Sequence, residues 1–271
     1  NIEPIKHFKI ELTANRSLAR NQQSFFRYDE FSENWNYESP SETGNFSATV
    51  MSWPTAFIED DTLFNSAIWD QLLQNRLTIS SRLNDAAYNV DEPNPTGYYQ
   101  GWGPTSQDVT IPAFLSAYLG VDANTINLDV MKTKVAPNWR VSYDGLSKIP
   151  ALKKKFRRFN LSHTYRSTMS TSYTTNLSYT EEGGLPTATE NGDYANFISQ
   201  RQFNTVSITE QLSPLIGFDM TLKTASNNEP QVKVEITRDR NVSFGLANYQ
   251  ITETKSRGVV IGFGYKFANV R

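Results

Sequence analysis

The chain has 271 residues, of which 38% are apolar, 13% aromatic and 20% charged, and its formal net charge is −2. This aromatic content excludes an extended disordered chain, and the lack of a basic excess argues against nucleic acid as a partner. The absence of Cys excludes disulfides and thiolate metal sites, and with only two His residues a histidine-rich metal centre is excluded.

Alternation of apolar and polar side chains predicts two strands within residues 1–53. In the first of them the apolar positions are Phe8, Ile10 and Leu12, and the polar positions between them are Lys9 and Glu11. Residues 44–53 repeat this period more weakly. The Asn-, Ser- and Glu-rich stretch between the two strands is predicted to form a long loop.

The period changes in residues 54–137, which are predicted to form a helical insert. Apolar residues recur at spacings of three and four over 62–83, which is typical of an amphipathic helix. The acidic run at 59–61 precedes this helix and is predicted to cap its first N–H groups. A second helix is predicted over 106–119, ended by Gly120.

Residues 138–271 return to period two, so that together with 1–53 they predict about eight to ten antiparallel strands. Several extend over about ten residues, which exceeds the ~5–6 of ordinary strands and suits the ~9–11 that cross a bilayer. The polar positions carry Ser, Thr, Asn and Gly more often than Lys and Glu. Aromatic residues gather near the strand ends, as in the interfacial girdles of membrane barrels.

Two architectures explain this alternation: a soluble β-sandwich with its apolar residues inside, and a membrane barrel with its apolar residues facing lipid. Strand length, the small polar residues and the aromatic ends favour a mainly β fold that is a segment of an antiparallel transmembrane β-barrel. The residues predicted to face lipid are Phe8, Ile10, Leu12, Phe218, Met220, Val234, Ile236, Phe244, Ile261, Phe263 and Tyr265. The residues predicted to face the lumen are Lys9, Glu11, Asp219, Lys233, Glu235 and Lys266.

Five segments of the chain are distinctive, in this order: WPTAF at 53–57, GPTSQDVTIPAF at 103–114, PNWRVSYDGLSK at 137–148, EQLSPLIG at 210–217 and VVIGFGYKF at 259–267. Together they resemble the SprA/Sov family, and the PNWRVSYDGLSK segment is the most specific of them. Members of this family are very large chains that form the outer-membrane translocon of the Bacteroidota type IX secretion system.

The resemblance implies that the chain is a late, C-terminal portion of one giant barrel in the bacterial outer membrane. The implied function is the export of folded cargo proteins with a C-terminal sorting domain, including adhesins used in gliding motility. The implied partners are the rest of the same chain, the cargo, an outer-membrane shuttle protein, a periplasmic plug and outer-membrane lipids. The strand number agrees with a fragment. About eight strands close a barrel whose interior is filled by its own side chains, so eight to ten strands can form only one arc of a wall wide enough for folded cargo.

A run of cations is predicted to contact lipid headgroups or the barrel rim, with a solvated turn as the alternative. The run consists of Lys153, Lys154, Lys155, Arg157 and Arg158. The sequence has no nucleophile elbow, phosphate loop or zinc-protease motif, so neither enzymatic activity nor a cofactor is expected. Two other functions stay open: a free-standing small outer-membrane porin and a soluble β-rich binding module.

Overall fold

The protein is mainly β, with one large antiparallel sheet and few helices. The computed structural model describes residues 2–63, 65–87, 92–190, 195–224 and 228–267. The strands of the sheet are β1 (Ile2–Ile5), β2 (Phe8–Thr13), β3 (Arg16–Asp29), β4 (Asn34–Thr49), β5 (Asn138–Tyr143), β6 (Phe156–Thr175), β9 (Arg201–Leu222), β10 (Glu229–Gly245) and β11 (Gln250–Lys266). A separate small hairpin is formed by β7 (Glu181–Glu182) and β8 (Leu185–Pro186).

The strands of the sheet follow one another as an antiparallel meander, although two of its positions are each shared by two strands. β4 and β5 lie end to end along β6, since Thr49 pairs with Thr168 and Trp139 pairs with Tyr165. β2 and β3 in turn lie end to end along β5 and β4. The nine strands agree in number with the predicted eight to ten. They do not close into a barrel, because β1 and β3 lie at one side of the sheet and β11 at the other.

The predicted long loop between the first two strands is wrong, because β3 and β4 form a long hairpin there. Only Thr43–Thr49 of β4 also pair with β6, so the rest of the hairpin is a two-stranded ribbon beyond the sheet. Nearly all of its described side chains are exposed on both faces. A ribbon with solvent on both sides needs no apolar face, which explains why the sequence lacks alternation here.

Two predicted helices are present as α1 (Ala67–Ala87) and α2 (Gln107–Leu119), and a one-turn helix, α3 (Pro150–Lys153), precedes β6. Gly120 ends α2 with a φ of 65°, as predicted. The acidic residues do not cap α1, which begins later than predicted. Asp61 instead accepts hydrogen bonds from the backbone N–H groups of Leu63 and Asn65, both at 2.8 Å.

The core lies between this insert and one half of one face of the sheet. We call this the upper half, toward Thr175, Arg201 and Gly245, and the opposite one the lower half, toward Phe156 and Leu222. The buried residues on the sheet side are Phe46, Ala48, Met169, Val206, Ile208, Val242 and Phe244, and those on the insert side include Ile79, Val109, Phe114 and Leu115. The insert therefore covers the upper half of this face and leaves the lower half open.

Asp108 is expected to make the stability of the insert depend on pH. Its carboxylate accepts a hydrogen bond from the Ser199 hydroxyl at 2.5 Å, and burial raises its pKa to about 6. The folded state therefore holds this proton more tightly than the unfolded state, so stability rises as the pH falls through about 6 toward the ordinary Asp pKa of 3.8. Asp108→Asn is expected to raise the unfolding temperature at pH 7 and to weaken this dependence. Melting curves of the unmodified protein and of Asp108→Asn at about pH 7 and pH 5 test this prediction. An equal change of unfolding temperature with pH in both proteins would contradict it.

Candidate functional site

The lower half of the sheet is a single layer with an apolar face that nothing in the described chain covers. One row of paired residues crosses six strands on this face: Phe8, Tyr143, Leu161, Phe218, Val234 and Ile261. Phe263 is 81% exposed, and Ile261 is 59% exposed. We call this face the apolar band. Soluble monomers rarely expose so continuous an apolar surface unless it binds something.

Ten of the eleven residues predicted to face lipid share the apolar band. They are Phe8, Ile10, Leu12, Phe218, Met220, Val234, Ile236, Ile261, Phe263 and Tyr265. The prediction is wrong for Phe244, which is 4% exposed and packs against Phe114 of α2 with a ring-centroid distance of 5.5 Å. Phe244 is on the same face of β10, but it lies in the upper half, where the insert covers the sheet.

The opposite face of the sheet carries small and polar side chains. The paired row behind the apolar row consists of Lys9, Ser142, Ser162, Gly217, Glu235 and Val260. All six residues predicted to face the lumen, Lys9, Glu11, Asp219, Lys233, Glu235 and Lys266, have the strand parity of this face. The ammonium of Lys233 lies 2.9 Å from a carboxylate oxygen of Glu235 on the same strand. The six predicted residues are three cations and three anions, so their formal charges balance.

Aromatic side chains border the apolar band at both ends. At the upper border the Trp53 ring lies 5.6 Å from Trp139 and 5.5 Å from Tyr165, between centroids. At the lower border Phe156 lies 5.0 Å from Phe159, and the Tyr265 and Phe267 rings are 4.7 Å apart. Along β11 and the residue that follows it, the band runs from 259 to 267, within the ~9–11 residues that a transmembrane strand needs.

The insert begins and ends at the upper border of the apolar band. The backbone N–H of Val50 donates to Ser167 as the chain leaves the sheet, and Ala136 donates to Thr49 as it returns. Because β10 keeps strict alternation, Val234 and Phe244 share one face, which means that the insert stands on the same side of the sheet as the band.

A buried ion cluster, which was not predicted from the sequence, joins the insert to the sheet. The Arg240 guanidinium lies 2.7 Å from Glu253 and 3.9 Å from Glu210, and it also donates to the Thr55 hydroxyl at 2.9 Å. The Arg240 and Glu210 side chains are 4% and 3% exposed. A signal was present, since Arg240 and Glu210 interrupt the apolar parity of β10 and β9. Exposed Glu59 pairs nearby with Arg238 and Arg257, and these arginines lower its pKa.

The five cations of the basic run lie at the lower end of the sheet, where they divide into three groups. Lys153, the last residue of α3, and Lys154 and Lys155, in the turn before β6, are exposed. Arg157 forms an ion pair with Glu229. Arg158 pairs in register with Thr221, on the polar face of the sheet.

The two histidines of the chain make local contacts. His163 packs against Trp53 and places Nδ1 2.7 Å from the Leu215 carbonyl oxygen. His7 lies 2.8 Å from Asp144.

Within the described ranges no three His, Asp or Glu side chains are grouped so that they could hold a metal ion. No described helix combines the length and apolarity needed to cross a membrane.

No family model matches the chain, and a search of curated proteins finds no match.

Proposed function

We propose that this chain is one arc of the wall of a giant outer-membrane β-barrel that exports folded proteins. The observation that carries the proposal is the single-layer lower half of the sheet, with an exposed apolar face and a small, polar face behind it. In water this apolar face would favour aggregation. In a bilayer it would contact lipid, and the polar face would line a water-filled lumen.

The open sheet favours the interpretation of the chain as one arc of a larger barrel wall, rather than as a complete small porin. Unpaired strand edges are not tolerated in lipid, because their N–H and C=O groups have no hydrogen-bond partner there. β11 presents such an edge on one side and β1 and β3 on the other. Further strands of the same large chain would pair with these edges, as the SprA/Sov resemblance implies.

The polar face suits passage of folded cargo without enzymatic chemistry. Ser142, Ser162 and Gly217 present small neutral groups along one row. The six charged residues named above on this face are three of each sign, which limits the retention of a cargo protein of either net charge. The cargo class, secreted proteins and gliding adhesins with C-terminal sorting domains, rests on the SprA/Sov resemblance, and so do the shuttle partner and the periplasmic plug.

The insert would stand outside the lumen, because it shares the face of the apolar band. The strands are longer than a bilayer crossing requires, because β9 has 22 residues and β6 has 20, whereas ~9–11 residues cross the bilayer. The longest connections, the insert and residues 176–200, arise from the upper half. Outer-membrane barrels carry long loops on the extracellular side, so we place the insert at the cell surface, above the outer leaflet.

Charge substitution on neighbouring residues of β11 tests the membrane assignment. Ile261→Arg puts a charge on the apolar band and is expected to destabilise the membrane-inserted protein by ~2–4 kcal/mol if it lies near the bilayer midplane. Val260→Arg places the same charge on the polar face and is expected to have little effect. The measurement is folded yield in outer membranes together with secretion of a sorting-domain cargo. Equal yield and export in both variants would count against the assignment.

The size of the native polypeptide tests the translocon assignment. Outer membranes are isolated, and the polypeptide that contains this segment is identified by gel mass and peptide mapping. We expect peptides from a chain several times longer than 271 residues. A chain of about this length in the membrane would favour the small porin, and recovery without detergent would favour the soluble binding module.

A further inference from the structure

We propose that the turn before β6 binds the phosphate of an anionic lipid headgroup, in the leaflet at the lower border of the apolar band. The binding groups are Lys154 and Lys155, with Lys153 and Lys223 beside them; we call these four residues the basic turn. This inference rests on the proposed function, since it needs the apolar band to face lipid.

The backbone holds the basic turn in place. The N–H of Lys223, which follows β9, donates to the carbonyl oxygen of Lys155 at 2.9 Å. The ammonium of Lys223 donates to the carbonyl oxygen of Lys153 at 2.8 Å. Two connections at the lower end of the sheet therefore meet, and they bring four lysines together.

These lysines lack the carboxylate partners that cations have at the upper border. In the part of the chain that the structure describes, none of the four lies within ion-pair distance of Asp or Glu, and the nearby Glu229 pairs with Arg157. At the upper border, by contrast, Arg238 and Arg257 both pair with Glu59. The basic turn therefore carries uncompensated positive charge, which an anion from outside the protein can neutralise.

The position of the basic turn favours a lipid phosphate as the anion that binds there. The basic turn directly precedes Phe156, whose ring belongs to the lower aromatic border of the apolar band. Lysines at such a border lay their aliphatic stems along apolar surface and keep the ammonium at headgroup level. Each lysine at this level attracts anionic lipid, and this attraction raises the affinity for that lipid about fivefold per lysine.

A local reporter on the full chain tests this site. Ala151, exposed on α3, is changed to Cys and carries a fluorescent dye, and the protein is reconstituted in phosphatidylcholine vesicles with a minor share of phosphatidylglycerol. Quenching by nitroxide-labelled phosphatidylglycerol is compared with quenching by nitroxide-labelled phosphatidylcholine. The preference for the anionic lipid is expected to fall on the order of 25-fold in the K154Q/K155Q double variant. The matched control, K132Q/K134Q, removes two insert lysines and is expected to keep it.

Each other outcome overturns a distinct claim. If both lipids quench the dye equally in the unmodified protein, or if K154Q/K155Q keeps the preference, the headgroup site is wrong while the membrane assignment stands. If the unmodified protein shows no lipid preference while the detergent-solubilised protein binds inorganic phosphate and K154Q/K155Q does not, the turn binds free phosphate and the lipid assignment is wrong. If neither lipid quenches the dye, the protein does not enter the bilayer, and the proposed function fails.

Discussion

Phe114→Ala is expected to lower the free energy of unfolding of the insert by about 3–5 kcal/mol, the cost of an aromatic side chain removed from a packed core. Phe114 is fully buried. Its ring contacts Tyr118 at 4.9 Å and Phe244 at 5.5 Å, so it holds α2 against the sheet. Proteolysis of the insert in increasing urea, on the full protein in detergent, measures the change.

Trp69→Ala provides the matched control for this substitution. Trp69 is an aromatic residue of the same insert, but its side chain is 43% exposed on α1. A substitution at such a surface position is expected to change stability by about 0.5 kcal/mol or less. Similar losses from both substitutions would mean that Phe114 does not join the insert to the sheet.

Arg240→Ala is expected to destabilise the junction between insert and sheet by about 3–5 kcal/mol. The substitution leaves Glu210 and Glu253 without their buried cation, and an uncompensated buried charge is more costly than the loss of the pair itself. It also removes the hydrogen bond to Thr55, which connects the sheet to the start of the insert. The same urea-dependent proteolysis measures the loss.

Two further variants separate the ion cluster from a general loss of charge. Arg257→Ala removes an exposed arginine that pairs with Glu59, and it is expected to cost about 0–1 kcal/mol. Glu210→Gln in the Arg240→Ala background is expected to recover part of the stability, because it removes one of the carboxylates left unpaired. A double variant that is less stable than Arg240→Ala alone would contradict this explanation.

The parts of the fold that could be predicted from sequence are those in which one face is apolar. β9, β10 and β11 alternate clearly because their lower halves have an apolar and a polar side, and α2 shows its end at Gly120. The β3–β4 ribbon could not be predicted in this way, since its residues are exposed on both faces. The division of one strand position into β4 and β5 was also hidden, because it depends on pairing with β6.

The two faces of the lower sheet could also be predicted, although what covers each face could not. Parity in the sequence groups Val234 with Phe244, and only the tertiary structure shows that the insert buries Phe244. The ion cluster was missed for a related reason. Arg240 and Glu210 come from different strands, and their proximity follows from the register between β9 and β10.

Spin labels at Ile261→Cys and Val260→Cys report which face of β11 contacts lipid and which contacts water. The 271 residues contain no Cys, so each label is unique within this segment. In the full protein in lipid vesicles, collision rates are measured with oxygen, which partitions into lipid, and with a nickel chelate, which stays in water. We expect the label at 261 to respond to oxygen and the label at 260 to respond to nickel. Strong nickel access at 261 would contradict this expectation, because the apolar band would then face water.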